Sequence, residues 1–138
     1  MRRQILFGLL ITASIVCSEN PIIQTKFTAD PAPMVWNDTV FLYTTRDNDN
    51  ATAHGGFQMT DWMLYTSTDM VNWRDRGIIA TLKNFTWGPQ TNGAWAPQTI
   101  QRNGKFYFYA PLHGKGIGVL VADNPYGPFK DPLGKALV

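Results

Sequence analysis

The chain has 138 residues, a length that builds one ordinary domain. Its 44% hydrophobic and 13% aromatic content supplies a packed core, which excludes a disordered chain. The formal net charge of +2 is contributed by Arg2 and Arg3 at the extreme N-terminus, so no basic stripe remains to point to nucleic acid.

Met1-Arg2-Arg3-Gln4 is a short basic start, Ile5 to Val16 is an apolar run, and Cys17-Ser18-Glu19-Asn20-Pro21 turns polar. This order reads as a secretory signal peptide over residues 1–18, and hence a secreted or periplasmic protein. A buried N-terminal strand and an uncleaved anchor are the other readings. The run falls short of the roughly 20 apolar residues of a membrane span. Cys17 is the single cysteine, which rules out an intrachain disulfide. It stands where a bacterial lipoprotein carries its lipid, but Ser14-Ile15-Val16 lacks the small residue expected just upstream. The sequons at Asn37, Asn50 and Asn84 matter only in a eukaryotic secretory pathway.

Thr28-Ala29-Asp30-Pro31-Ala32-Pro33-Met34-Val35-Trp36 places one aspartate ahead of two prolines and a strand-like run. Proline fixes its own φ and biases its predecessor to extended backbone, so Asp30 is expected on a stiff, extended segment. That suits a carboxylate that must point one way, and equally a turn cap where a strand begins. Beyond Phe27 no window sustains a 3.6-residue apolar period. Strands are expected near Ala32–Trp36, Val40–Thr45, Trp62–Ser67, Trp73–Ala80, Trp95–Gln101, Lys105–Pro111, Gly116–Ala122 and from Phe129 onward. Asn37-Asp38 and Arg102-Asn103-Gly104 are hairpin turns. The fold class is all-β.

The chain also repeats itself. Ala32 to Trp36, a turn and Val40 to Tyr43 parallel Ala96 to Ile100, a turn and Phe106 to Tyr109; Leu64 to Met70 parallels Gly118 to Asn124. Two four-stranded units read as β-propeller blades, over about 27–80 and 94–138, with an eight-stranded sandwich as the alternative. Two blades do not close a ring, because a blade buries its faces only against neighbours. The sequence is therefore expected to be the N-terminal part of a longer protein, or to assemble with other chains.

Four motifs occur in order: Asp30-Pro31-Ala32-Pro33, Leu64-Tyr65-Thr66-Ser67-Thr68-Asp69-Met70-Val71-Asn72-Trp73, Trp95-Ala96-Pro97-Gln98, and Ile117 to Phe129. Together they resemble glycoside hydrolase family 43 from about Asn20 to Val138. The resemblance implies a five-bladed β-propeller of the arabinofuranosidase or xylosidase kind, here its first two blades, acting on arabinose- or xylose-containing oligo- or polysaccharides. It implies inverting hydrolysis with Asp30 as general base, activating water opposite the leaving group. A protonated carboxyl about 6.5–9.5 Å away must then serve the glycosidic oxygen. The family's acid is a glutamate from a later blade, and an aspartate opening the third blade tunes it. Glu19 is the one glutamate here and precedes the first blade, while Asp131-Pro132 belongs to the end of the second. The chain alone is therefore expected to be inactive.

The resemblance also places Trp95 at the sugar pocket, where an indole face packs on the C–H face of a sugar; a core tryptophan at the axis is the other reading. Trp87, in a polar stretch, could border the pocket, and Asp47 could reach a sugar hydroxyl. Trp36, Trp62 and Trp73 read as packing residues. Arg46-Asp47-Asn48-Asp49-Asn50 lacks the glycine and downstream glutamate of an EF-hand loop and reads as solvated. His54 and His113 have no partners at zinc-ligand spacing, so neither a metal nor a cofactor is expected. Two rival functions remain: a non-catalytic carbohydrate-binding β-domain that self-associates, and a structural β-domain in which Asp30 only caps a turn.

Overall fold

The computed structural model describes residues 21–49, 51 and 56–138. Residues 1–18, expected from the sequence to be a signal peptide and including Cys17, lie outside these residues, as do Asn50 and His54. Seven strands form two antiparallel sheets: β1 (Thr28–Trp36), β2 (Thr39–Arg46), β3 (Asp61–Ser67) and β4 (Arg74–Thr81) in one, β5 (Gln98–Arg102), β6 (Lys105–Leu112) and β7 (Gly116–Ala122) in the other. Each sheet is a simple meander, in orders β1-β2-β3-β4 and β5-β6-β7. The described residues contain no α-helix, only one 3₁₀ turn (Leu82–Asn84) capped by the Thr81 hydroxyl.

The hairpins follow from local chemistry. Asn37 and Asp38 both take positive φ (46° and 53°), as do Asn103 and Gly104 (51° and 74°). That is the type I′ geometry whose twist matches paired strands. The third reversal, from β3 to β4, is built by Asp69. Its carboxylate accepts hydrogen bonds from Ser67 Oγ, from the Val71 and Asn72 amides and from Asn72 Nδ2.

The sheets pack face to face through aromatic rings. Trp62 and Phe108, 0% exposed, meet edge to face at 5.4 Å, and Trp62 meets Phe85 at 6.2 Å. Tyr43 packs on Phe108, Phe41 on Tyr126, and Trp36 on Phe106. Tyr43 hides its hydroxyl in this seam without stranding it, donating to the Pro125 carbonyl at 2.8 Å. A buried phenol needs such a partner. One core runs across the seam, and β1 and β5, the first strand of each sheet, lie side by side. Two sheets with their first strands adjacent at one side are neighbouring propeller blades.

Two expectations need correction. The fourth strand of the second sheet is not continuous. Lys130 pairs with Val121, and Leu137 and Val138 pair with Ile117, but Asp131 turns the chain between them by accepting from the Leu133 and Gly134 amides. The fifth strand begins at Gln98 rather than Trp95, because Trp95 and the residues before it bond across to Pro111, Met59 and Gly93's neighbour His113 instead of to a regular ladder.

Candidate active site

Antiparallel meandering brings the start of β1, the end of β2 and the start of β3 to one end of the first sheet. The start of β5 and the end of β6 reach the same end, because the Met59 carbonyl accepts from the Gly93 and Ala94 amides and Trp62 Nε1 donates to the Trp95 carbonyl at 2.9 Å. Asp30, Asp47, Arg46, Asp61, Phe57 and Trp95 are thereby gathered on one rim of the two blades.

Asp30 is exposed at the third position of β1. Its backbone is not extended, as Pro31 alone would dictate, but left-handed, with φ 52°. The reason is register. Ala29 pairs with Thr45 and Ala32 with Tyr43, so Asp30 and Pro31 together oppose Thr44 alone. An extra residue in one strand makes a β-bulge, and aspartate is among the few residues that tolerate the left-handed region. The bulge turns the carboxylate off the pleat. Thr45 Oγ1 donates to Oδ2 at 3.0 Å, while Oδ1 takes no hydrogen bond from the described residues. One oxygen is anchored and the other is open.

Asp47 follows the end of β2, its amide donating to the Phe27 carbonyl. Its Oδ1 is buried without a partner among the described residues, and its carboxyl is pushed up by burial first and by the negative charge of Asp30 second. The two carboxylates sense one another. Beneath them Arg46 forks onto Asp61, Nε to Oδ1 at 2.7 Å and Nη2 to Oδ2 at 2.6 Å, with Thr60 Oγ1 on the same carboxylate. Asp61 is 4% exposed, and the pair raises the Arg46 guanidinium's pKa. Arg46 also reaches Asn48, which bonds Gln58, so the loop after β2 is tied to the segment before β3. Among the described residues no group of three or more His, Cys, Asp or Glu could hold a metal ion.

Trp95 is half-buried between two rings. Phe57, 43% exposed, stacks on it at 5.4 Å and 23°, and His113 meets its edge at 5.6 Å. Phe57 and the Arg46–Asp61 fork were not singled out in the sequence. Gly55-Gly56 before Phe57 hides it in loop chemistry, and Asp61 reads as an ordinary strand start. Trp87 is not part of this group: Nε1 donates to Asp131 at 2.8 Å and its ring packs edge-on to Phe85. Trp62 and Trp36 lie in the seam, and Trp73 packs against Leu42, Met63 and Tyr65 on the far face of the first sheet.

Two adjoining antiparallel meanders with their first strands side by side are blades of a β-propeller, and Asp30 is an exposed carboxylate on the bulge of the first of those strands. The model of the glycosyl hydrolases family 43 matches residues 18–138, and the chain belongs to that family. It is 38% identical over 142 residues to an arabinoxylan arabinofuranohydrolase of Paenibacillus polymyxa, a match covering 91% of this chain but 22% of that protein. Among solved structures, an α-L-arabinofuranosidase from Clostridium thermocellum is 39% identical with a TM-score of 0.67, covering 86% of this chain and 38% of its own. A β-xylosidase/α-arabinofuranosidase from a compost metagenome, solved with xylotriose, is 30% identical with a TM-score of 0.72, covering 81% and 36%. The chain thus spans between about a fifth and two fifths of the length of these relatives.

Proposed function

We propose that these two blades belong to a secreted inverting glycosidase that removes arabinose or xylose units from plant polysaccharides, with Asp30 as the general base. The observation that carries this reading is the bulge. It sets Asp30 out of the ladder, on the inner strand, with Oδ2 anchored by Thr45 and Oδ1 free to take a proton from water. General bases need such a fixed, accessible lone pair. Trp95 with Phe57 supplies an apolar ring surface on the same rim for a sugar face, and Asp47 supplies an acceptor for a sugar hydroxyl.

Inversion also needs a carboxylic acid on the other side of the bond. The described residues hold no glutamate, so the proton donor is assigned to a later blade and the 138-residue chain by itself to an inactive state. Val35 of β1 is 72% exposed, an apolar position that supports a further packed layer beyond these two blades.

The test is hydrolysis of aryl arabinofuranoside and aryl xyloside by the protein extended through its later blades. Asp30→Asn should lower turnover by about 10²–10⁴-fold with the product anomer of the parent inverted by NMR. A retained configuration, or an Asp30→Asn variant as active as its parent, would reject the assignment. The N-terminal residue of protein recovered outside the cytoplasm should fall near position 19.

A further inference from the structure

At the end of the first sheet opposite Asp30, a groove of about 390 Å³ runs along the seam between the blades. Its walls are Thr39, Thr66, Trp73, Arg74 and Arg76 from the first blade and Tyr126 from the second. Both walls lie within the described residues.

The groove has a recognisable chemistry. Arg76 lies over the Tyr126 ring, 5.2 Å from its centroid, and Nε donates to Thr66 Oγ1 at 2.8 Å. These contacts hold the guanidinium plane and leave its Nη edge unused. Neither Arg74 nor Arg76 makes an ion pair with a described residue. The single acid of the lining, Asp69, is already engaged by four donors of its own loop, which hold its carboxyl well below the usual range. Two unpaired guanidinium forks match a carboxylate in geometry as well as charge. Aromatic side walls and threonine hydroxyls match a pyranose ring. We infer that this groove is a second carbohydrate site, remote from Asp30, that binds a uronate-bearing oligosaccharide through Arg74 and Arg76. Such a site tethers the enzyme to acid-decorated stretches of its polymer. The choice of a sugar acid over another carboxylate rests on the glycosidase reading above; the anion chemistry does not.

The test uses the extended protein carrying Asp30→Asn, so that ligand is not consumed, and isothermal titration with a glucuronate-substituted xylo-oligosaccharide, its unsubstituted counterpart and inorganic phosphate. The substituted ligand should bind more tightly than the unsubstituted one, and Arg74→Gln with Arg76→Gln should erase that difference, a loss of about tenfold or more. Arg74→Gln alone, which removes no side-chain hydrogen bond among the described residues, should give part of the loss in a protein of unchanged melting temperature. The same arginine variants on the Asp30 background should leave hydrolysis of aryl glycosides unchanged. Equal binding of both oligosaccharides, or undiminished binding by the double variant, would overturn the inference. Phosphate competing as well as the sugar acid would reduce the site to a simple anion patch and overturn it too. Failure of the general-base assignment would show instead as turnover by Asp30→Asn, with uronate binding intact.

Discussion

Asp30 and Asp47 show how much of a carboxylate's behaviour is set by the few ångströms around it. Asp30 keeps one oxygen on Thr45 and one open, while Asp47 buries an oxygen with no donor among the described residues. Burial and then Asp30 push the Asp47 carboxyl up, so the folded chain holds that proton more tightly than the unfolded chain does. The sign is that of a cost: ionised Asp47 lowers stability once pH exceeds the unfolded value of about 3.9, and the cost fades as pH falls through the raised folded-state value. Asp47→Asn is therefore expected to raise the Tm of the 138-residue chain at pH 7 and to lose that advantage near pH 3. A lower Tm at pH 7 would show that the charged form is needed. The Asp61 carboxylate, by contrast, has a charge partner in the Arg46 fork. Asp61→Ala leaves the partly exposed Arg46 guanidinium without its partner and should cost about 1–3 kcal/mol in urea unfolding.

At the scale of elements, the seam between the sheets is tight wherever a glycine admits a ring. A Cβ on Gly118 of β7 would lie 2.4 Å from the Phe85 ring, which is fully buried. The backbone there is ordinary, so the constraint is volume and not φ. Gly118→Ala should destabilise by about 1–3 kcal/mol through overpacking, and Phe85→Leu combined with it should recover part of that loss, measured by chemical denaturation. If Gly118→Ala alone is neutral, Phe85 has room that the packing denies. Tyr43→Phe removes a buried donor from the Pro125 carbonyl across the same seam and should cost about 1–3 kcal/mol. These contacts join the blades as one body, which is what keeps Asp30 and Trp95 on a common rim.

For the molecule as a whole, two blades leave sheet faces that want neighbours. Val35 is 72% exposed, Ile100 51% and Ile117 38%, against buried seam residues of the same kind. Apolar faces of this type associate in water. The isolated 138-residue chain is expected to show concentration-dependent association in sedimentation experiments, and a protein in which the proposed further blades cover these faces is not. Monodisperse behaviour of the short chain at high concentration would mean that the two blades are self-sufficient.

Much of this was legible in the residues themselves. Alternating β-branched and aromatic runs, the Asn37-Asp38 and Asn103-Gly104 turns and the repeated order of motifs specify short meandering strands, because turn geometry and pleat period are local properties. The tryptophans of the seam were readable as packing for the same reason. What lay beyond sequence was register. The bulge that swings Asp30 into the left-handed region depends on which residues of β2 lie opposite, and Pro31 by itself pointed to the wrong backbone. The partnership of Arg46 with Asp61, the stack of Phe57 on Trp95 and the withdrawal of Trp87 to Asp131 join residues 15 to 44 positions apart. Local chemistry at Asp30 nominated a carboxylate; only the paired strands and the packed blades decided where it points and what stands beside it.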